Sequence, residues 1–167
     1  PDSALMDLLR EGVRRGKELQ TLLGQVNVIV LGTGLGQTSW SERLFKTCLK
    51  TELPVVLDAD GLGALAREPA AMRGRSAPSV LTPHPGEMAR LTGRSMAEIQ
   101  ADRIGAALAL AQARGVVVLL KGHGSVVAAP DGRAAIADNA PPWLATAGSG
   151  DVLAGFAAGC LAQGMPG

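Results

Sequence analysis

The chain has 167 residues and a net charge of +1 at pH 7, and 47% of its residues are hydrophobic. This length fits one domain with a sizeable core, and this hydrophobic content excludes a disordered tail. Sixteen basic residues balance fifteen acidic ones, and the aromatics are two Phe and two Trp. We therefore expect neither the basic face nor the stacking platform that nucleic-acid binders use.

The sequence shows no pattern typical of a membrane span, a secretory leader or a cysteine-based metal site. Its most apolar run, residues 154–162, is too short to cross a bilayer and contains two glycines. No charged-then-apolar leader opens the sequence. Cys48 and Cys160 lie far apart, which indicates neither a disulfide framework nor a zinc site. We expect a soluble, cytoplasmic domain that binds neither nucleic acid nor a membrane.

Hydrophobic periodicity and capping signals predict the following elements in chain order. They are a helix over 3–23, a buried strand over 26–31, a helix over 39–49, strands over 54–58 and 79–82, a helix over 95–114 that starts with a capping box, a strand over 116–120, a hairpin of 125–129 and 134–137, and a final helix over 149–163. Continuous apolar strands that alternate with helices indicate an α/β domain with a mostly parallel sheet covered on both faces.

Four polar or glycine-rich segments each follow a predicted strand, namely 32–36, 58–61, 82–87 and 121–125. In parallel sheets, ligands bind beyond the carboxyl ends of the strands. We therefore expect the four segments to meet at one edge of the sheet, and this convergence is stronger evidence for a site than any single motif.

The segment 147–151 precedes the final helix and contains Gly148 and Gly150. Glycines let backbone N–H groups turn toward a ligand, and a helix N-terminus favours an anion. Asp151 lies in the predicted first turn. A plain helix-capping role for Asp151 is the alternative.

The segment 32–36 has the spacing GxGxG, which departs from the dinucleotide pattern GxGxxG. Gly34 and Gly36 fit two interpretations equally well. Either the segment is a tight turn between a strand and a helix, or its backbone approaches a substrate closely.

The segment 82–87 places His84 between two prolines, which restrict the backbone and orient the imidazole. We expect His84 to donate to a phosphate or a carbonyl group, and Glu87 to hold a metal ion through water. A structural histidine is the alternative interpretation.

The segment 121–125 joins a lysine to two glycines and a serine hydroxyl after a buried strand. It could bind nucleotide phosphates through its N–H groups and Lys121, although it is not a Walker motif. A hairpin entry with a solvated lysine is the alternative.

Together, these segments resemble the ADP- or ATP-dependent NAD(P)H-hydrate dehydratase family of the ribokinase-like superfamily. The matching stretches run in the family's order and cover most of the chain: 32–36, 55–62, 81–87, 120–125 and 145–155. The combination of 82–87 (TPHPGE) with 145–155 is specific to this family among ribokinase-like proteins.

The resemblance implies a repair enzyme that acts on the hydrated form of NADH or NADPH. The family uses a nucleotide phosphoryl group to turn the ring hydroxyl into a leaving group and then eliminates phosphate. It implies Asp151 as the general base, and magnesium with ADP or ATP as the phosphoryl donor. It implies nucleotide contacts from Lys121, Gly122, His123, Gly124, Ser125, Gly148 and Gly150, and substrate contacts from Gly34, Gly36, His84 and Asp151.

The resemblance also implies that residues 1–167 form a single dehydratase domain that is incomplete at both ends. An epimerase domain, fused or separate, is the partner that it suggests, and a homo-oligomer is open. Gly63 stands where the family usually has Asn, and 139–143 replaces a commoner Asn-Pro-Gly form.

Two other functions share these residues. A ribokinase-like kinase of a small alcohol would use the same anion site and Asp151, but would release a stable phosphoester. A nucleotide-binding fragment without turnover would bind nucleotide and catalyse nothing. Product analysis distinguishes the dehydratase from the kinase, and a binding module would show nucleotide affinity that Asp151→Asn leaves intact, with no wild-type activity to lose.

Overall fold

The computed structural model describes residues 17–139 and 141–164, which form alternating strands and helices. The helices are α1 (Lys17–Leu23), α2 (Ser39–Leu49), α3 (Ala59–Arg67), α4 (Pro85–Thr92), α5 (Met96–Ala101), α6 (Arg103–Arg114) and α7 (Ser149–Ala162). The strands are β1 (Ile29–Leu31), β2 (Val55–Leu57), β3 (Ser79–Leu81), β4 (Val117–Leu120), β5 (Ser125–Ala128) and β6 (Ala134–Ala137), and short 3-10 helices span Pro69–Met72 and Pro142–Leu144.

The six strands form one sheet in the order β1-β2-β3-β4-β5-β6. The first four are parallel, and β5 and β6 continue the sheet as an antiparallel hairpin. All three residues of β2 are buried, as expected for a strand covered on both faces. Because β1 to β4 are parallel, their carboxyl ends lie at the same edge of the sheet.

Helices cover both faces of this sheet. On one face, Val55 and Leu57 of β2 belong to the large core that buries the inner sides of α2 to α6. On the other face, Val56 packs with Ala154 and Ala158 of α7. The small alanine side chains let α7 lie close to the strands, so its first turn reaches the sheet edge where β2 ends.

The α/β fold with a mostly parallel sheet and flanking helices is confirmed, as is the hairpin. Helix α2 has the predicted bounds, and α7 ends one residue earlier than predicted. Residues 3–16 of the first predicted helix lie outside the described residues. In the described part of the chain, no helix is both long and apolar enough to cross a membrane.

The prediction of one helix over 95–114 is wrong, because Asp102 separates α5 from α6. The backbone of Asp102 leaves the helical region at φ −144° and ψ 79°, and its carboxylate accepts a hydrogen bond from the Gly105 N–H at 2.8 Å. Asp102 therefore ends one helix and caps the next.

Candidate functional site

The four loops that follow β1 to β4 meet at one edge of the sheet, as the sequence predicts. The Gly36 N–H donates to Asp60 Oδ2 at 2.9 Å, which joins the loops after β1 and β2. The Lys121 N–H donates to the Pro83 carbonyl oxygen at 2.8 Å, which joins the loops after β3 and β4. These contacts bring the candidate residues of separate segments into one region.

An ion pair between a buried carboxylate and a partly buried ammonium lies at this edge. The ammonium of Lys121 donates to Asp58 Oδ1 at 2.6 Å and lies 3.9 Å from Glu87 Oε2. The side chains of Asp58 and Lys121 are 3% and 22% exposed. Lys121 is therefore not the solvated lysine of the alternative interpretation, because its charge is compensated by carboxylates.

The N-terminus of α7 faces this ion pair. Gly148 occupies the N-cap position, and no side chain caps the helix. A Cβ atom built on Gly150 would lie 3.4 Å from Asp58 Oδ2 and 3.6 Å from Lys121 Nζ. Free N–H groups of a first turn and a lysine ammonium thus lie side by side, which is the arrangement that favours an anion.

Asp151 lies in the same first turn of α7 and is exposed. Because Gly148 holds the N-cap position and no side-chain capping hydrogen bond forms, the plain capping role is not observed. Within residues 17–139 and 141–164, no side-chain hydrogen bond or ion pair engages the Asp151 carboxylate. Its oxygens are available to a ligand.

His84 and Glu87 begin helix α4, which the sequence analysis missed. Pro85 is the first helical residue, and His84 Nδ1 accepts from the N–H groups of Gly86 at 3.0 Å and Glu87 at 3.4 Å. In return, Glu87 Oε2 accepts from the His84 N–H at 2.7 Å. With Nδ1 acting as an acceptor, Nε2 is the ring nitrogen that can donate; it belongs to a half-exposed ring and lies 3.6 Å from Glu87 Oε1.

In the loop after β1, position 32 can only be glycine. Gly32 has φ 139°, and a Cβ atom there would overlap the carbonyl oxygen of Asp58. The loops after β1 and β2 therefore cross at backbone contact. Gly34 and Gly36 are exposed beyond this crossing, where a substrate could approach them.

The loop 121–125 is supported from behind by Arg103, a residue that the sequence analysis missed. Arg103 Nη2 donates to the carbonyl oxygens of Leu120 at 3.2 Å, Lys121 at 3.4 Å and Gly124 at 3.3 Å. Burial lowers the pKa of Arg103. An arginine at a helix start has ordinary sequence surroundings, so no sequence signal marked this contact.

The remaining polar contact of this loop is internal. Ser125 Oγ donates to the Gly122 carbonyl oxygen at 2.9 Å and accepts from the Gly122 N–H at 3.3 Å. His123 is exposed at the tip of the loop. In the part of the chain that the structure describes, no three Asp, Glu, His or Cys side chains come together as a metal-binding group.

Comparison with known families and proteins gives consistent results. A family model for NAD(P)H-hydrate dehydratase matches residues 2–166. The chain is 47% identical over 143 residues to the bifunctional NAD(P)H-hydrate repair enzyme Nnr of Mycobacterium tuberculosis, covering 86% of this chain and 30% of that protein. It is 42% identical over 137 residues to Nnr of Escherichia coli, covering 82% and 26%.

Solved structures show the same fold. The ADP/ATP-dependent NAD(P)H-hydrate dehydratase of Bacillus subtilis, co-crystallised with ATP and Mg²⁺, superimposes with a TM-score of 0.70 and 37% identity, covering 81% of this chain and 47% of that one. A ribokinase-like superfamily protein of Enterococcus faecalis gives a TM-score of 0.75 and 25% identity, covering 87% and 50%. The chain thus spans about half the length of these solved structures and under a third of the curated relatives.

Proposed function

The chain belongs to the NAD(P)H-hydrate dehydratase family, and on that basis we propose that its site dehydrates the S form of NAD(P)H hydrate at the expense of ADP or ATP, restoring NAD(P)H. The observation that carries this proposal is the position of the Lys121 ammonium beside the first turn of α7, where its Nζ lies 3.6 Å from the Cβ position of Gly150. Phosphoryl transfer needs positive charge and N–H donors where negative charge develops, and this arrangement supplies both.

The proposed reaction has two steps. Asp151 takes the proton from the ring hydroxyl, whose oxygen forms a bond to the terminal phosphorus while the bond from that phosphorus to the nucleotide oxygen breaks. The C–O bond of the phosphorylated ring then breaks with loss of a ring proton, which forms the C=C bond of NAD(P)H and releases phosphate. The ring proton is taken up by the departing phosphate and Asp151 releases its proton to solvent, so one hydrate and one ADP give one NAD(P)H, one AMP, one hydrogen phosphate and one proton.

The nucleotide would lie between the loop 121–125 and the start of α7. Lys121 would contact its phosphates, and Gly148 and Gly150 would leave room for them in front of the helix. Gly122, His123, Gly124 and Ser125 would contact the remainder of the nucleotide. The support from Arg103 behind this loop favours a fixed backbone, which preorganised binding requires.

The hydrated nicotinamide nucleotide would lie on the other side of Asp151, against the loops after β1 and β3. Gly34 and Gly36 are exposed there, and His84 offers its Nε2 proton as a donor. A substrate hydroxyl between these loops and α7 would lie within the reach of Asp151.

Magnesium fits this site through water and phosphate oxygens. Mg²⁺ is commonly bound by one or two carboxylates, waters and substrate phosphates, and it neutralises the charge of the phosphates. Glu87 Oε2 already accepts from the His84 N–H and faces Lys121, so Glu87 would hold the ion through water. The relatives are named bifunctional, which supports a second activity fused to this one. An epimerase as that partner, a cytoplasmic location and a homo-oligomer stay predictions.

The test uses chemically hydrated NADH with ADP and Mg²⁺, followed by the absorbance of the reduced nicotinamide. It is run with this chain and with a version lengthened to the relatives' whole dehydratase domain. We expect recovery of absorbance that requires ADP and is lost in Asp151→Asn. Recovery by the longer version alone would assign the activity to the whole domain.

Product analysis in the same experiment identifies the alternatives. A stable phosphoester without absorbance recovery would replace the dehydratase with the kinase. Nucleotide binding by both versions, with neither phosphoester nor absorbance recovery, would leave a binding module. Either result would overturn the proposal.

A further inference from the structure

We propose that Asp58 is a positioning residue of this site, whose buried carboxylate fixes the ammonium of Lys121 against the first turn of α7 where nucleotide phosphates bind. This inference rests on the proposed function for its ligand. It assigns a role to a residue that neither the capping pattern nor the phosphate motifs identify.

Asp58 does not perform the usual task of an aspartate at its position. It occupies the N-cap position of α3 with an extended backbone, where a carboxylate normally accepts from the first-turn N–H groups. No such side-chain hydrogen bond forms. The carboxylate is turned to Lys121 Nζ at 2.6 Å, and because it is buried it requires that partner.

The backbone around Asp58 is constrained to hold this orientation. Ala59 has φ 45° and is, among the described residues, the one non-glycine with positive φ. A side chain at Gly32 would overlap the backbone of Asp58, and one at Gly61 would overlap the backbone of Leu31 at the end of β1. The strained residue thus lies next to Asp58, and close backbone packing keeps it there.

The ion pair of Asp58 and Lys121 lies next to the first turn of α7. The position of a Cβ atom on Gly150 is 3.4 Å from Asp58 Oδ2 and 3.6 Å from Lys121 Nζ. An ammonium has three donors, and Asp58 occupies one of them. Glu87 Oε2 lies 3.9 Å from the ammonium, an ion-pair distance too long for a hydrogen bond, so the other donors can meet phosphate oxygens.

The charges predict how each substitution acts. Without Lys121, the Asp58 carboxylate is a buried, uncompensated negative charge beside the phosphate site, so it repels nucleotide. With Asn at position 58, Lys121 keeps its positive charge but is held by an uncharged, weaker acceptor. Ground-state binding of ADP therefore survives, while alignment for phosphoryl transfer suffers. A residue that only supports the fold would produce neither pattern.

The test compares the wild type with Asp58→Asn, Lys121→Met and the double variant. ADP affinity in the presence of Mg²⁺ is measured by calorimetry, and melting temperature and turnover are measured separately. We expect Lys121→Met to weaken ADP binding at least tenfold. The double variant should bind ADP several-fold more tightly than Lys121→Met alone. Asp58→Asn alone should keep ADP affinity at or above the wild-type value, with a fall in turnover of at least tenfold.

The control is Ser95→Ala, which removes a true helix cap, since Ser95 Oγ accepts from the Glu98 N–H at 3.2 Å. It should lower the melting temperature without changing ADP affinity or turnover. If the two site substitutions weaken ADP binding independently, so that their factors multiply, the proposal is overturned. The ADP measurements decide this even if the wild type shows no turnover, and that absence would count against the dehydratase function alone.

Discussion

The guanidinium of Arg103 holds the backbone of Gly124, because its Nη2 donates to the Gly124 carbonyl oxygen at 3.3 Å. The same nitrogen also donates to the carbonyls of Lys121 and of Leu120, the last residue of β4, so three carbonyls turn toward a single cation. The N–H groups of Lys121 and Gly122 donate to the Pro83 carbonyl oxygen and to Ser125 Oγ, so this backbone is held by its donors as well as by its acceptors. Arg103, the first residue of helix α6, thus helps to fix the backbone shape of the loop 121–125.

Replacement of Arg103 by Met should weaken ADP binding about tenfold, the equivalent of about 1.4 kcal/mol. The reason is that the carbonyls of Leu120, Lys121 and Gly124 lose a charged donor, so the loop samples several backbone conformations. Calorimetry gives the affinity, and amide hydrogen exchange of 121–125 reports the loss of order. Arg133→Met is the matched control, because Arg133 pairs with Asp131 in an exposed turn. Equal ADP affinities in both variants would contradict the prediction.

Replacement of Gly150 by Ala should separate stability from binding. The methyl group would contact its neighbours at ordinary distances of 3.4 and 3.6 Å, so the fold tolerates it and gains up to about 0.5 kcal/mol of helix propensity. The same methyl group would occupy the space in front of the first turn, so we expect ADP affinity to fall tenfold or more. Thermal melting and calorimetry measure the two effects.

Gly155→Ala is the control for this substitution, since a Cβ atom there would meet nothing within 4 Å. It should raise the melting temperature in a similar way and leave ADP affinity unchanged. If Gly150→Ala binds ADP as tightly as Gly155→Ala does, the phosphates do not lie at the start of α7.

The strands and the common edge of their loops could be predicted from the sequence because their signals are local. Each strand of the parallel sheet is a short run of mostly apolar residues, followed by Gly32, Asp58, Thr82-Pro83 or Lys121. Helix α2 has the predicted bounds, and in the structure a capping box of Thr38 and Ser41 marks where it begins. Local propensity and packing agree at these positions.

The pairings within the site could not be predicted in the same way. Asp58 and Lys121 are 63 residues apart, and their contact depends on strand order and on the direction in which Asp58 leaves β2. Helix α4 was missed because its cap is His84, whereas the usual pattern begins with Ser or Thr. The break at Asp102 carries no glycine or proline to mark it.

Replacement of Asp151 by Asn should lower turnover by about two to four orders of magnitude, because an amide cannot accept the hydroxyl proton. Nucleotide affinity should change little, since the carboxylate is exposed in α7 and no described side chain depends on it. Initial rates at saturating ADP and ADP calorimetry give both values. Asp131→Asn is the control, because its turn follows β5, which runs antiparallel to β4 and so ends at the opposite side of the sheet. Turnover near that of the wild type in Asp151→Asn would remove Asp151 from the mechanism.

The thiol of Cys48 should make the fold less stable at alkaline pH. Cys48 is 3% exposed, and burial raises the pKa of its thiol from 9.0 to about 11, against a smaller lowering by Arg75. The folded protein therefore holds this proton more tightly than the unfolded chain does. The contribution of this protonated thiol to the free energy of unfolding is fully present below pH 9 and is lost as the pH rises toward 11.

A shift of this size corresponds to about 2 to 3 kcal/mol of unfolding free energy. Urea unfolding between pH 8 and pH 11 under reducing conditions measures it, and the chain has no tyrosine to titrate in the same range. We expect the wild type to lose stability more steeply than Cys48→Ala. Cys160→Ala should keep the wild-type slope, since Cys160 is only partly buried. Parallel curves for the wild type and Cys48→Ala would show that this thiol does not couple folding to pH.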